Sequence, residues 1–169
     1  MITIRSEKVE DQKPIRRVNE RAFGQPLEAD LVDALRINAH PHISLVAIID
    51  QHIVGHIFFS PVSIESAASS FEAMGLAPMA VLPEFQNQGI GGRLVEEGLK
   101  KCGELGQSII VVLGHPKYYP RFGFIPAHLK GLRSEYDVPA DTFMVLELTE
   151  NVLAGRRGLV RYHSEFSKF

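Results

Sequence analysis

The feature that most constrains this 169-residue chain is a glycine-rich turn between an apolar strand and an amphipathic helix. The apolar segment 75–82 leads into Pro83-Glu84-Phe85-Gln86-Asn87-Gln88, and glycines follow at 89, 91 and 92. Glycines leave backbone N–H groups uncovered where the first donors of a helix lack internal partners. Such a helix N-terminus favours an anion, and no acidic residue follows Glu84 in the turn. The turn is therefore predicted to bind a phosphate group.

The bulk composition is that of one globular domain spanning 1–169, with 45% hydrophobic and 22% charged residues. The formal net charge of −2 argues against general nucleic-acid binding and against membrane-surface binding, because such proteins usually carry a basic excess. No apolar run approaches about 18 residues, and the N-terminus begins with strand-like alternation instead of a signal peptide. We expect a soluble cytoplasmic protein whose partners are small molecules or individual proteins, and a homodimer is compatible with the sequence.

The N-terminal part predicts one strand followed by two helices. Ile2 and Ile4 alternate with polar residues, and Asp11 is placed to cap a helix that runs to about Ala22. From residue 27 to residue 35 a leucine recurs every four positions, which predicts a second helix with one buried stripe.

The middle of the chain predicts an antiparallel hairpin and a third strand. Segments 44–49 and 53–62 are rich in Val and Ile and are separated by a turn. The Ser- and Ala-rich segment 63–70 is expected to be an exposed connection, and 71–81 to be the next strand.

The glycine-rich turn begins a predicted βαβ unit. Apolar residues recur at three- and four-residue spacings from 90 to 105, which predicts a helix packed on a sheet. The unbroken Ile/Val/Leu run within 108–113 is typical of a central strand parallel to 71–81. Segments 142–148 and 158–162 predict two later strands. The expected fold class is α/β (α+β), with a mixed, mostly antiparallel sheet flanked by helices.

Two common glycine-rich nucleotide motifs do not fit the turn. A dinucleotide fold requires Gly-x-Gly-x-x-Gly early in the chain and an acidic residue about 20 positions later, whereas the next strand here is apolar. A phosphate loop requires Gly-Lys-Ser/Thr, whereas this chain has Gly92-Arg93-Leu94. What remains is Gln86-x-x-Gly89-x-Gly91 after an apolar strand.

This remaining pattern resembles the acyl-CoA pyrophosphate loop of the GNAT N-acetyltransferase superfamily, and it matches at Gln86, Gly89 and Gly91. Segment 79–85, Met-Ala-Val-Leu-Pro-Glu-Phe, is similar to the strand end that precedes this loop in the family. Two adjoining segments thus carry the same resemblance.

A third segment strengthens the resemblance. Residues 119–124, Tyr-Pro-Arg-Phe-Gly-Phe, are similar to a tyrosine-containing signature of the superfamily. The longer stretch 114–124 resembles the bacterial YhbS-like branch of that superfamily. The resemblance covers the chain from the first strand to about residue 148.

The resemblance implies a fold in which the central parallel strands splay apart to receive acetyl-CoA, without a metal. It implies direct attack by a primary amine of a small molecule or protein on the thioester. The strand amide near Ala80 or Val81 is the implied oxyanion donor. The implied cofactor-binding residues are Met79, Ala80, Val81, Gln86, Asn87, Gln88, Gly89, Ile90, Gly91 and Gly92.

Tyr119 stands where the family places its general acid. A phenol has an unperturbed pKa of about 10, so it is protonated at neutral pH and can give a proton to the departing thiolate. The alternative is that Tyr119 only packs beneath the cofactor, as we expect for Tyr118. A general base is less evident, and Glu72, Glu28 and His115 are the candidates.

Other reactive side chains are interpreted as structural. The pairs His40/His42 and His52/His56 have no accompanying cysteine or carboxylate cluster, so no metal site is expected. Cys102 lies on the apolar stripe of its helix and is expected to be an inert thiol. Two alternatives to acetyl transfer remain: a catalytically weak CoA-binding sensor or interaction module, and a thioester hydrolase that uses Cys102.

Overall fold

The computed structural model describes residues 1–168, in which one nine-stranded sheet is packed by three α-helices. The helices are α1 (Gln12–Phe23), α2 (Leu27–Asn38) and α3 (Ile90–Glu104). The strands are β1 (Thr3–Ser6), β2 (Ile43–Ile49), β3 (His52–Glu65), β4 (Ser70–Val81), β5 (Ile109–Leu113), β6 (Ile125–Pro126), β7 (Leu132–Ser134), β8 (Phe143–Glu147) and β9 (Gly158–Arg161).

The sheet is mixed and mostly antiparallel, as the sequence predicts. Its order is β1-β2-β3-β4-β5-β8-β6, while β9 pairs with both β3 and β7. The parallel neighbours are β4 with β5 and β7 with β9. Parallel strands require a crossover connection, and α3 supplies it between β4 and β5. The expected fold class and its central parallel pair are confirmed.

The helices cover opposite faces of the sheet. Because side chains alternate along a strand, Phe58 of β3 packs with Ile15 and Leu35 of α1 and α2. Its neighbour Phe59 packs instead with Leu94 of α3. Within residues 1–168 no helix combines the length and the apolar character needed to cross a bilayer.

Helix α3 packs tightly against the sheet at Gly98. A Cβ atom at this position would lie 2.3 Å from the ring of Phe59, which is fully buried. Glycine is therefore required here by contact with β3, and not by an unusual backbone conformation. This contact fixes the height of the helix above the sheet.

Substituting Gly98 by Ala is expected to lower the free energy of unfolding by about 1–3 kcal/mol, because the added methyl group overlaps the Phe59 ring. The control is Gly103→Ala on the same helix, where a Cβ meets nothing within 4 Å. That control should stabilise the protein by up to about 1 kcal/mol through helix propensity. Urea denaturation measures both values. Equal effects at the two positions would contradict the packing argument.

The expected connection at 63–70 is shorter than predicted. Strand β3 continues to Glu65 and β4 begins at Ser70, so the turn comprises only the four residues between them. The reason is tertiary: β9 pairs with Ser63–Glu65 and completes their hydrogen bonding. The polar composition of this segment gives no sign of that partner.

Asp11 lies immediately before α1, yet its carboxylate makes no hydrogen bond to the amides of that helix. It turns back instead, accepting hydrogen bonds from the Lys8 amide at 2.6 Å and from Arg5 at 2.6 Å. The hydrogen bond from Arg5 lowers the pKa of Asp11. Asp11 therefore occupies the predicted N-cap position of α1, but its side chain makes no capping hydrogen bond, because a nearby guanidinium and an earlier turn compete for the carboxylate.

A buried polar cluster joins α1 to the sheet beneath it, and His56 is its centre. Its Nδ1 lies 3.2 Å from the Asn19 amide nitrogen, which also donates to a carbonyl one helical turn earlier. Nδ1 therefore accepts a hydrogen bond from the Asn19 amide. Nε2 carries the ring proton and donates it in a hydrogen bond to the Ser44 hydroxyl at 2.8 Å. Ser44 donates in turn to Glu7, which pairs with Arg36 at 2.6 Å. Burial, and then the charge of Arg36, lower the pKa of His56 to about 3.

Candidate active site

Strands β4 and β5 separate partway along the sheet. They pair over Met74–Leu76 on β4, with Leu76 opposite Val112, and the pairing ends there. Beyond this point β4 forms a β-bulge in its pairing with β3. The two residues between Leu76 and Met79 lie opposite a single residue of β3. The bulge re-aims the end of β4 away from β5. A gap therefore opens between the two parallel strands.

The end of β4 presents free backbone groups to this gap. The Leu82 amide donates a hydrogen bond to the carbonyl of Val54 on β3 at 2.8 Å. Along an antiparallel pair of strands, residues that hydrogen-bond to the opposite strand alternate with residues that do not. Ala80 therefore faces β3, whereas Met79 and Val81 direct their N–H and C=O groups to the gap. The Gln86 amide supports this geometry, since it donates to the Val81 carbonyl at 2.9 Å. Of the two amides considered as oxyanion donors, only that of Val81 is directed to the gap.

The N-terminus of α3 opens onto the same gap. Gly89 precedes the helix with φ 83°, and no side chain caps the first helical amides. Asn87 also has a positive φ, of 61°. A Cβ at Gly91 would lie 3.2 Å from the Tyr118 hydroxyl and 3.4 Å from Met79. The turn is thus closely packed from the side while its amides remain uncapped, as an anion site requires.

A cleft of about 610 Å³ combines the strand end, the turn and the helix N-terminus. Nine of the ten residues proposed to bind the cofactor line it, and the exception is Gln88. Gln88 is exposed and donates instead to the Glu84 carbonyl at 3.3 Å. The lining residues are Ala22, Phe23, Met79, Ala80, Val81, Phe85, Gln86, Asn87, Gly89, Ile90, Gly91, Gly92, Tyr118 and Arg121.

Arg121 lines the cleft, although its sequence context does not predict a role for it. Its guanidinium stacks 4.4 Å from the centre of the Tyr118 ring, and its Nε donates to the Tyr118 carbonyl at 2.9 Å. These contacts hold a positive charge at the wall of a cleft suited to an anion. One feature of the sequence indicates such a residue: the glycine-rich turn is suited to a phosphate but contains no lysine. A positive charge must therefore come from another segment.

Tyr119 begins a 3₁₀ turn, Tyr119–Phe122, which is separated from β5 by five residues. The ring is 8% exposed and packs edge-on against Tyr118 and Phe124. A Cβ at Gly114 would lie 2.4 Å from this ring, so a glycine is needed beside it. Burial, with a smaller contribution from Tyr118, raises the pKa of Tyr119 to about 12. The phenol therefore stays protonated at neutral pH.

The candidate bases and the cysteine lie apart from the cleft. Glu72 is exposed on the part of β4 that pairs with Ser63 of β3. His115 accepts the Lys117 amide at 3.1 Å and thereby closes its own turn. Cys102 is fully buried, and burial raises its pKa to about 12. Neither the two candidate bases nor the thiol lines the cleft.

Glu28, the third candidate base, lines a second cavity, here called the apolar pocket, of about 450 Å³. This pocket adjoins the splayed strands at Ala77 and Leu113. Tyr162 also lines it, and its buried hydroxyl has no hydrogen-bond partner among residues 1–168. The complete lining is Leu27, Glu28, Leu31, Ala77, Leu113, Tyr136, Val138, Tyr162 and Phe166.

The histidine pairs make structural contacts. His40 and His42 each bond a backbone carbonyl three residues earlier, and the His42 ring stacks on Phe58 at 5.0 Å. His52 is exposed, whereas His56 lies in the buried cluster. Across the part of the chain that the structure describes, no three His, Cys, Asp or Glu residues are grouped as metal ligands would be.

Comparison with known proteins is consistent with this geometry. The family model of the acetyltransferase (GNAT) domain matches residues 40–126, which include the splayed strands, the turn and Tyr119. The uncharacterised N-acetyltransferase YhbS of Escherichia coli K12 is 37% identical over 150 residues, which are 88% of this chain and 89% of YhbS. The uncharacterised N-acetyltransferase YjhQ of the same strain is 42% identical over 134 residues, covering 78% of this chain and 74% of YjhQ.

Solved structures agree in fold. Escherichia coli YhbS in complex with CoA superimposes with a TM-score of 0.91 and 35% identity, covering 99% of this chain and 93% of that one. A GNAT acetyltransferase of Brucella melitensis in complex with acetyl-CoA gives a TM-score of 0.79 and 36% identity, with 98% of each chain covered. With the family model, the sequence relatives and the splayed-strand fold in agreement, this chain belongs to the GNAT family of N-acetyltransferases.

Proposed function

We propose that the protein transfers the acetyl group of acetyl-CoA to a primary amine within the cleft at the end of β4. The observation that carries this proposal is the convergence of two kinds of free backbone donor on one cavity. These donors are the outward amides of β4 and the uncapped amides of α3. Relatives of the same fold bind CoA and acetyl-CoA, which supports acetyl-CoA as the cosubstrate here.

The pyrophosphate is proposed to bind at the N-terminus of α3. Its charge would be met by the amides around Gly89 and Gly91, by the helix dipole and by the guanidinium of Arg121. The pantetheine arm would then lie along β4 and bond the backbone groups of Met79, which leaves the Val81 amide free for the oxyanion. This arrangement directs the thioester to the gap between β4 and β5.

The proposed reaction needs three groups at that gap. A neutral amine attacks the thioester carbonyl carbon, and the Val81 amide stabilises the oxyanion that forms. The carbon–sulfur bond then breaks, and Tyr119 donates its proton to the thiolate. The new amide loses its extra proton to solvent, from which Tyr119 regains one, so the products are the acetylated amine and CoA.

The loop assignment is tested by Gly91→Glu. A carboxylate at the helix N-terminus would repel the pyrophosphate, and we expect the Kd for acetyl-CoA to rise at least about tenfold. Isothermal titration calorimetry measures this change directly. Gly91→Gln is the matched control, because it adds nearly the same volume beside Tyr118 without the charge.

The comparison of the two variants separates charge from size. The Kd of Gly91→Gln should fall between those of the wild type and Gly91→Glu, and the difference between the variants should shrink as salt is added. Unchanged acetyl-CoA affinity in Gly91→Glu would overturn the phosphate-binding role of the turn. A salt-independent difference would mean that the carboxylate acts through packing alone.

A further inference from the structure

We infer that the apolar pocket is the acceptor site and that it selects primary amines carried on an aromatic body, the arylalkylamines. The inference rests on the proposed acetyl transfer and names the substrate class for it. The pocket presents many apolar side chains, three of them aromatic, and a single carboxylate. An arylalkylamine has the matching chemistry, because it joins an apolar ring to one positive charge.

The position of the pocket follows from the strand register. The last paired residues of β4 and β5 are Leu76 and Val112, and the residues that follow them, Ala77 and Leu113, both line the pocket. The cofactor cleft begins two residues further along β4, at Met79. The two cavities therefore adjoin the same short segment of β4. An amine held in one can reach a thioester held in the other.

The lining predicts an apolar occupant. Leu27, Leu113 and Tyr136 expose 40%, 41% and 36% of their surface, although apolar side chains of this size gain from burial. Phe166 and Tyr162 add two further rings, packed edge-on at 5.2 Å. Such rings favour another ring in an edge-to-face arrangement. A thin lysine side chain would leave most of the 450 Å³ unfilled.

Glu28 is the only charged residue among those that line the pocket. It is half-buried in the first turn of α2 and accepts hydrogen bonds from the Gln25 amide at 3.1 and 3.2 Å. Among residues 1–168 no lysine, arginine or histidine forms a salt bridge with it, in contrast to Asp30, which pairs with Arg16. An ammonium group on the ligand would supply the missing counter-charge, and it would lose a proton to solvent before the neutral amine attacks the thioester.

Tyr162 gives the pocket one unsatisfied polar atom. Its ring lies over Gly75, where a Cβ would be 3.0 Å away, just before the strands separate. A hydroxyl buried without a partner is unfavourable, and a hydrogen bond to a bound ligand would satisfy it. Both Glu28 and Tyr162 thus offer a polar contact to a ligand whose remaining surface is apolar.

The test compares phenethylamine with ethanolamine, which carry the same aminoethyl group on a phenyl ring or on a hydroxyl. Release of CoA thiol from acetyl-CoA is followed at saturating acetyl-CoA. We expect kcat/KM to be at least tenfold higher for phenethylamine. Calorimetric titration of phenethylamine into the protein–CoA complex gives a second readout that does not depend on turnover.

Glu28→Gln tests the carboxylate. The variant should raise KM for phenethylamine about tenfold, with a smaller change in kcat and an unchanged Kd for acetyl-CoA. Glu104→Gln is the matched control, because Glu104 is exposed near the end of α3 on the opposite face of the sheet. That control should leave both constants at wild-type values.

The outcomes distinguish this inference from the proposed function. If acetyl-CoA binds while ethanolamine or a lysine-containing peptide is acetylated as well as phenethylamine, the substrate class is wrong and acetyl transfer stands. The same conclusion follows if the protein–CoA complex does not bind phenethylamine, or if Glu28→Gln leaves its KM unchanged. Failure to bind acetyl-CoA would overturn both.

Discussion

The Tyr119→Phe variant is expected to lower kcat at least about 100-fold, while its Kd for acetyl-CoA stays within a few-fold of the wild-type value. The ring of Tyr119 is packed on several sides and its pKa is raised to about 12, so the hydroxyl keeps its proton at neutral pH and is available as an acid. Removing it leaves the departing thiolate to take its proton from solvent. Steady-state release of CoA thiol with a saturating amine measures the loss.

Two comparisons separate acid catalysis from packing. Tyr118→Phe removes a hydroxyl from the cofactor cleft and should raise the KM for acetyl-CoA more than it lowers kcat. Gly114→Ala keeps the Tyr119 hydroxyl but displaces its ring, because the added Cβ would lie 2.4 Å from it, and should lower kcat. If Tyr119→Phe retained full turnover, Tyr119 would be a packing residue only.

The second large effect is expected in stability against acid. The pKa of His56 is about 3 in the folded protein and near 6.5 when the chain is unfolded. Below pH 6.5 the unfolded chain therefore binds a proton that the folded protein excludes. The contribution of this histidine falls by about 1.4 kcal/mol per pH unit, or about 3 kcal/mol between pH 6.5 and 4. Urea denaturation across this range measures the slope.

His56→Gln isolates this contribution from that of the carboxylates. The variant should be less stable than the wild type at pH 7, because hydrogen bonds with Asn19 and Ser44 are disturbed. The difference in the free energy of unfolding between the wild type and this variant should shrink as the pH falls towards 4. His52→Gln is the control, since solvent reaches that ring in the folded protein, and its curve should run parallel to the wild type. Parallel curves for His56→Gln would contradict the burial argument.

Local patterning predicted most of the fold, because the elements that build it carry strong periodicity. The helix of Ile90–Glu104 and the run at Ile109–Leu113 have the expected spacings and form the expected parallel unit. Strands β6 and β7, of two and three residues, were not predicted, since segments so short have no measurable period. The extension of β3 to Glu65 depends on pairing with β9, a contact that sequence alone does not encode locally.

The candidate site was predicted unevenly for a similar reason. The turn around Gly89 and Gly91 could be predicted because backbone requirements leave a visible glycine pattern. The direction of the Gln86 side chain, which bonds Val81, could not be read from residue type. Arg121 enters the cleft only because its turn folds beneath α3.

The two cavities differ in how the chain encodes them. Apart from the end of α1, the cofactor cleft is lined by residues between Met79 and Arg121, within the range matched by the family model. The apolar pocket adds walls from α2 and from 136–166, both outside that range. The two binding sites are therefore built largely from different segments of the chain. Chimeras that exchange the flanking segments between homologues are expected to change the acceptor preference and to leave acetyl-CoA binding unaltered.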